Sequence, residues 1–367
     1  MNIVCDKALL SSAIDGVSKA VTLRSSIPAL EGILMKADGF QLTLTGYDLE
    51  MAITTTIEAN VREPGEIVLP AKLLGDMVRR LPSGEVSIHT NDAGNATVKG
   101  GVAEFDILAI SASDYPDLPN PGADRTLTMK CGTLRDILEK TLYAVSQDDK
   151  KPAHTGELFA IEPESLTVVA LDGYRLAIVE RPVKAEKSIR IIIPAKTLTE
   201  VNKLLGDEDQ DVHISANRRF VVFETGNYVI LSRLIEGEFL NYNNVIPTGY
   251  KTRVSLESRD FIDTIERASL IITERLKNPL RILFEENKVT VRCQTNLGKV
   301  VDEFDAKTEG EAVEIGFNNR YLLDALRNAR CEKVVMEMSG ALSPVKILSE
   351  DEKDFIFLVL PVRFKND

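Results

Sequence analysis

The stretch Pro70-Ala71-Lys72-Leu73-Leu74-Gly75-Asp76-Met77-Val78-Arg79-Arg80-Leu81 returns 124 residues later as Pro194-Ala195-Lys196-Thr197-Leu198-Thr199-Glu200-Val201-Asn202-Lys203-Leu204-Leu205. A third version, running from Phe317 through Asn318 and Leu322 to Arg327, follows about 123 residues further on. Each reads as a short amphipathic helix led by an apolar strand, namely Ile67-Val68-Leu69, Ile191-Ile192-Ile193 and Val313-Glu314-Ile315. Proline at the first helical position suits the first two, because its missing N–H is unpaired there in any case. Behind each helix the apolar residues alternate, at Val86 and Ile88, at Val212 and Ile214, and at Val334, Met336 and Met338, which is the period of a half-buried strand. A chain that says the same thing three times is confined to a modular fold.

A second helix belongs to each unit. Asp6 is placed to cap a helix reaching Val21, with Leu9, Leu10, Ala13, Ile14 and Val17 on one face. Its counterparts carry Leu134, Ile137, Leu138 and Leu142, then Phe261, Ile262, Ile265 and Ala268. Short alternating strands fill the spaces, for example Leu166-Val168-Ala170 with Leu176-Ile178, and Val289-Val291-Cys293 with Val300 and Phe304. The expected class is therefore α+β, with two helices and about eight strands per unit. Boundaries are expected where Pro and Gly gather, giving domains over residues 1–121, 122–250 and 251–367. A linear array of modules needs polar end caps, and strands fill this chain from end to end. Head-to-tail pairing with a second copy, closing into a ring, would cover the two bare ends.

Composition excludes more than it selects. No apolar run approaches the roughly 20 residues a membrane span needs, and no secretory leader opens the chain, so a cytoplasmic protein with no membrane partner is expected. Cys5, Cys131, Cys293 and Cys331 have no metal spacing and read as reduced core thiols. Three histidines, no phosphate loop and no nucleophile elbow leave no catalytic constellation, metal site or cofactor site to nominate. Asp172-Gly173-Tyr174-Arg175 has the residues of chemistry but the pattern of a turn between strands, and Gly46-Tyr47-Asp48 stands at the matching place one repeat earlier. The protein is not expected to be an enzyme.

The net charge of −12 argues against a polyanionic partner until it is divided. The six helical segments sum to +4, leaving −16 on strands and loops. Ordinary placement of Lys and Arg near helix C-termini would do this. So would a ring lined by helices around a polyanion, retained by topology and touching phosphates only weakly.

Taken together, Leu44-Thr45-Gly46-Tyr47-Asp48-Leu49-Glu50, Leu171-Asp172-Gly173-Tyr174-Arg175-Leu176-Ala177, the two Pro-Ala-Lys segments, Glu314-Ile315-Gly316-Phe317-Asn318 and the tail Leu360-Pro361-Val362-Arg363 resemble the bacterial sliding clamps, the beta subunits of DNA polymerase III. The resemblance runs from residue 1 to about 364. It implies three clamp domains per chain, each with two helices backed by antiparallel sheets, and a head-to-tail dimeric ring around double-stranded DNA of any sequence. It implies a non-catalytic processivity factor that tethers DNA polymerase III, is placed by a clamp loader, and serves other clamp-motif polymerases and repair proteins.

The resemblance also implies sites. A partner-peptide groove would use Leu171, Gly173, Tyr174, Arg175, Leu176, Leu240, Asn244, Val245, Val345, Leu358, Leu360, Pro361, Val362 and Arg363, with Leu176, Val245, Leu360 and Val362 as an apolar cup. Tyr174, Leu240 and Asn244 depart from the family's common His, Pro and Arg. DNA contacts would come from Arg24, Lys72, Arg79, Lys150, Lys151 and Lys196, and Pro152-Ala153 stands where some relatives carry aromatic residues. The dimer interface would use Glu104 near Lys299, over an apolar contact of Phe105 and Ile107 with Leu270 and Ile271. Two other readings follow from the residues alone: an acidic repeat scaffold that binds only proteins, and an enzyme built on Asp172 and Arg175.

Overall fold

The computed structural model describes residues 1–91, 94–122, 125–273, 278–351 and 353–364. Among these, six α-helices alternate with antiparallel strands: α1 (Lys7–Val17), α2 (Ala71–Arg80), α3 (Cys131–Thr141), α4 (Ala195–Leu204), α5 (Ser258–Ser269) and α6 (Asn319–Ala329). The α+β class and the pairing of two helices with each repeat agree with the sequence. Asp6 caps α1 as expected, its carboxylate accepting from the Ala8 and Leu9 N–H groups at 2.8 and 3.0 Å. Asn318 does the same for α6.

Two local expectations shift. α1 ends at Val17, and its last turn tightens into a 3-10 turn over Ser18–Ala20. Pro70 and Pro194 are not helical. Each is the last strand residue, cross-paired with Gly32 and Gly156 respectively, and the helix starts at the following alanine. The ladder keeps the proline extended there, and nothing is lost because proline has no N–H to give it.

Contacts divide the chain into two compact units, Met1–Leu134 with Lys196–Leu234, and Arg135–Ala195 with Ile235–Asp367. In the first unit, one sheet runs Asn60–Glu63, Asn2–Asp6, Glu85–Thr90, Asn95–Gly100, Ala103–Leu108. A second runs Arg125–Lys130, Asp211–Ala216, Phe220–Thr225, Tyr228–Arg233, Met51–Glu58, Gln41–Tyr47, Gly32–Asp38, Gly65–Pro70. α1 buries Leu10, Ala13, Ile14 and Val17, and α2 buries Leu74, Met77 and Val78. Gly46 permits a close approach, since a Cβ there would lie 2.1 Å from the Val17 carbonyl oxygen.

The second unit repeats the plan. A nine-stranded sheet runs Ile189–Pro194, Gly156–Ile161, Ser165–Leu171, Arg175–Pro182, Ile356–Val359, Val345–Ser349, Lys333–Met338, Thr252–Glu257, Lys307–Gly310. A four-stranded sheet runs Gly298–Asp305, Lys288–Thr295, Leu280–Glu285, Val313–Phe317. Phe159, Phe261, Phe284, Phe317 and Phe357 are among its fully buried side chains.

Two seams join repeats by the same register. Strand Tyr228–Arg233 pairs with Met51–Glu58, setting Ile230 opposite Ile53 and Leu231 opposite Ala52. Strand Ile356–Val359 pairs with Arg175–Pro182, setting Phe357 opposite Ala177 and Leu358 opposite Leu176. The central repeat thus gives half its strands to each unit. Strands Ala103–Leu108 and Gly298–Asp305 stand at sheet edges.

Candidate partner groove

The second seam carries a groove. Where Arg175–Pro182 meets Ile356–Val359, the strands present Leu171, Leu176 and Leu358 as a floor, each under 5% exposed. The connection from Leu240 to Lys251 and the turn from Ser339 to Pro344 form the walls of a cavity of about 780 Å³. Leu240, Val245 and Leu360 line it and remain 36–45% exposed, an apolar surface open to solvent among the described residues.

Of the fourteen groove residues expected from the sequence, Leu171, Gly173, Tyr174, Arg175, Leu176, Leu240, Asn244, Val245, Leu358 and Leu360 line this cavity. Val345, Pro361, Val362 and Arg363 do not line it. Val345 is fully buried beneath the sheet, cross-paired with Val359. After Leu360, whose N–H donates to the Tyr174 carbonyl at 2.8 Å, the chain leaves the groove and Val362 N–H donates to the Gly316 carbonyl. The apolar leucines of this lining are Leu171, Leu176, Leu240, Leu358 and Leu360, with Val245 beside them, and Val362 is not among the lining residues. Ile246, Pro247, Thr248, Gly249, Tyr250, Lys251, Ser339, Ser343 and Pro344 also line it and were not anticipated.

The turn reading of Asp172-Gly173-Tyr174-Arg175 holds in detail. Asp172 Oδ1 accepts from the Tyr174 and Arg175 N–H groups at 2.8 and 3.0 Å, and Gly173 takes φ +91°. Asp172 Oδ2 also accepts from Arg175 Nε at 3.0 Å, while Arg175 Nη1 donates to Asp324 Oδ2 at 2.5 Å. The guanidinium carbon lies 4.9 Å from the Tyr321 ring centre and 5.4 Å from that of Tyr143. Tyr174 stacks on Tyr321 at 5.7 Å. Burial holds the Tyr143 phenol well above its ordinary value. Arg175 is thus a neutralised pillar between two rings and two carboxylates, and Tyr174 is a flat groove wall. Its partners Tyr143, Tyr321 and Asp324 left no sequence signal, because up to 149 residues separate them from Arg175.

The expected DNA contacts differ among themselves. Arg24, Lys72, Lys150 and Lys151 are exposed. Arg79 is engaged by Asp15 and Asp76 at 2.9 and 2.7 Å, and Lys196 by Asp48 at 2.5 Å. At the expected interface, Phe105 is 36% and Leu270 83% exposed, Ile107 is packed inward, Ile271 is half-buried and Lys299 is exposed. Glu104 pairs with Lys99 of its own sheet at 3.2 Å.

Comparison with known proteins gives one consistent answer along the whole chain. The family models for the N-terminal, central and C-terminal domains of the DNA polymerase III beta subunit match residues 1–119, 128–241 and 243–363. The beta sliding clamp of Halalkalibacterium halodurans is 32% identical over 378 aligned positions, covering 99% of this chain and 100% of the relative. That of Staphylococcus aureus is 30% identical, covering 94% of each. The crystal structure of the DNA polymerase sliding clamp from Bacillus subtilis superposes with a TM-score of 0.96 at 29% identity, covering 100% of both chains.

Proposed function

This chain belongs to the DNA polymerase III beta subunit family, the bacterial beta sliding clamps, and we propose on that basis that it encircles duplex DNA as a head-to-tail homodimer and tethers DNA polymerase III through the groove. As a member it is a DNA sliding clamp, a processivity factor made of three clamp domains. The domain divisions over residues 1–121, 122–250 and 251–367 are the functional modules of this reading. The clamp loader and other clamp-motif polymerases and repair proteins are the further partners. The ring acts without catalysis, in the cytoplasm; among the described residues no helix is long and apolar enough to cross a membrane.

The observation that carries the ring is the repetition of one seam. In all three repeats a residue two or three past the last strand donates its N–H to the strand leading into the second helix: Ile110 to Val68 at 3.0 Å, Ile235 to Ile192 at 2.9 Å, Val362 to Gly316 at 2.8 Å. These bonds make Phe105, Ile230 and Phe357 equivalent. The hairpin closures Asp48 with Met51, Asp172 with Arg175, and Thr295 with Gly298 make Ile53, Ala177 and Val300 equivalent. Two seams set Ile230 on Ile53 and Phe357 on Ala177. A third of the same register sets Phe105 of one copy on Val300 of the other.

That register puts Asp106, rather than Glu104, opposite Lys299. It also gives Phe105 a ready neighbour. In the second seam Phe357 packs edge-on against Tyr143 at 5.4 Å. Leu270 stands just past the end of α5 as Tyr143 stands just past the end of α3, each 12 residues after the helix's first residue, so in this register Phe105 meets exposed Leu270. Exposed edge strands otherwise invite promiscuous pairing, and closure removes both.

For DNA, exposed Lys72, Arg24, Lys150 and Lys151 supply phosphate contacts that carry no sequence information. Arg79 and Lys196 must share themselves with carboxylates, which keeps those contacts weak and salt-sensitive. The test is retention. The protein, loaded on nicked circular DNA with a clamp loader, should remain bound through gel filtration and fall off once the circle is cut. Equal loss from circular and linear DNA would refute encirclement and favour the protein-only scaffold.

A further inference from the structure

The groove does not end at its apolar cup. Its lining also includes residues 246–251 and, from the turn Ser339 to Pro344, Ser339, Ser343 and Pro344. Polar Thr248, Ser339, Ser343 and Lys251 stand in this lining beside Ile246, Pro247, Tyr250 and Pro344. The backbone of Lys251 is held on both sides: its N–H donates to the Met338 carbonyl at 2.9 Å, and its carbonyl accepts from the Glu311 N–H at 3.3 Å. The Lys251 residue is exposed, and among the described residues its ammonium has neither an ion pair nor a hydrogen bond.

The charge of the rest of the groove sharpens this. Among the described residues no Asp or Glu lines the cavity. The other cation in its lining, Arg175, is already matched by Asp172 and Asp324. A groove with an apolar floor and one lining ammonium left unmatched among the described residues favours a ligand that carries both apolar groups and a negative charge. We propose that Lys251 is a specificity-determining residue that reads a carboxylate on the bound peptide, so that this groove takes extended segments with apolar anchors and an Asp or Glu on one flank. The inference rests on the groove being the partner-peptide site. The chain's overall charge of −12 works against any acidic ligand, but at 0.15 M salt it is felt only within about 8 Å, so contact with Lys251 decides the local preference.

Fluorescence anisotropy tests this with the whole protein. The probe is a labelled extended peptide whose only apolar residues are two adjacent leucines, made with Asp on one flank, Asp on the other, Asn on both, or Lys on both. One Asp peptide should bind roughly 3- to 5-fold tighter than the Asn peptide, the scale of a partly exposed ion pair, and the Lys peptide weaker still. The advantage should vanish in Lys251→Met and shrink at 0.5 M salt, with the Asn peptide unaffected by the substitution. Equal binding of Asp and Asn peptides, or an Asp advantage that survives Lys251→Met, overturns the role of Lys251 while leaving the groove intact. Leu358→Ala separates the two ideas: it should weaken all four peptides alike. If none of the peptides binds the native protein, the groove assignment and this inference both fall.

Discussion

Leu49 and Gly173 hold the same place in successive repeats, two residues before Met51 and Arg175, and both have positive φ, at +74° and +91°. Asp48 and Asp172 fold their hairpins identically, each accepting two backbone N–H groups. The left-handed region costs a residue with a Cβ about 1–2 kcal/mol and costs glycine nothing, while glycine's extra unfolded-state entropy returns part of that. Leu49→Gly should therefore stabilise the protein by about 0.5–1 kcal/mol, read as a higher urea midpoint. A lower midpoint would show that the 41% exposed Leu49 side chain contributes packing that outweighs the strain.

Glu157 makes the opposite case, a residue whose cost lies in its surroundings. It sits fully buried in strand Gly156–Ile161 with neither carboxylate oxygen hydrogen-bonded, and nearby Thr141 donates its own proton to the Ile137 carbonyl at 2.8 Å. Burial pushes its pKa up to about 8, against the pull of the Thr141 hydroxyl. The folded chain then keeps a proton that the unfolded chain loses near pH 4.5, so stability falls as pH rises from there to about 8 and levels off above. Each unit of that window is worth about 1.4 kcal/mol. Glu157→Gln removes the titration, and its stability relative to the native chain should climb by about 3–5 kcal/mol between pH 4.5 and 8.5. Parallel pH–stability curves for the two would refute the buried neutral acid.

At the scale of elements, the seam is the unit that matters. Antiparallel pairing is written in backbone hydrogen bonds, so its register is set by a turn and a ladder, and side chains then decide which edges accept each other. In the proposed dimer seam this gives Asp106 and Glu104, two residues apart on one strand, different partners. If Asp106 faces Lys299 across the open seam, Asp106→Lys and Lys299→Asp should each weaken the dimer and together restore it, measured by sedimentation at low protein concentration. The same swap at Glu104 should rescue nothing. Exposed pairs are worth at most about 1 kcal/mol, so Phe105→Ala should do more damage than either charge reversal. A dimer indifferent to Phe105→Ala would remove the apolar basis of the seam.

At the scale of the molecule, a net charge of −12 and a DNA partner cease to conflict once retention is topological. The basic residues need not win a contest of affinity. Two of the expected DNA contacts are held by acidic neighbours, Arg79 by Asp15 and Asp76 and Lys196 by Asp48, and in the proposed ring such pairs favour sliding over docking.

The repeat, the six helices, the Asp6 cap and the turn at Asp172 were readable from the chain, because each is set by local chemistry or by a period within a few residues, whereas the groove floor was expected only from the family resemblance. The proline positions were misjudged by one residue, since only cross-strand pairing with Gly32 and Gly156 fixes where the strand stops. Tertiary structure alone decided that the central repeat divides its strands between two sheets, that Val362 lies outside the cavity lining, that Arg175 is neutralised by Asp324, and that Lys251 has no ion-pair partner among the described residues. These outcomes depend on which distant backbones hydrogen-bond and which distant charges meet, and linear spacing carries no trace of either.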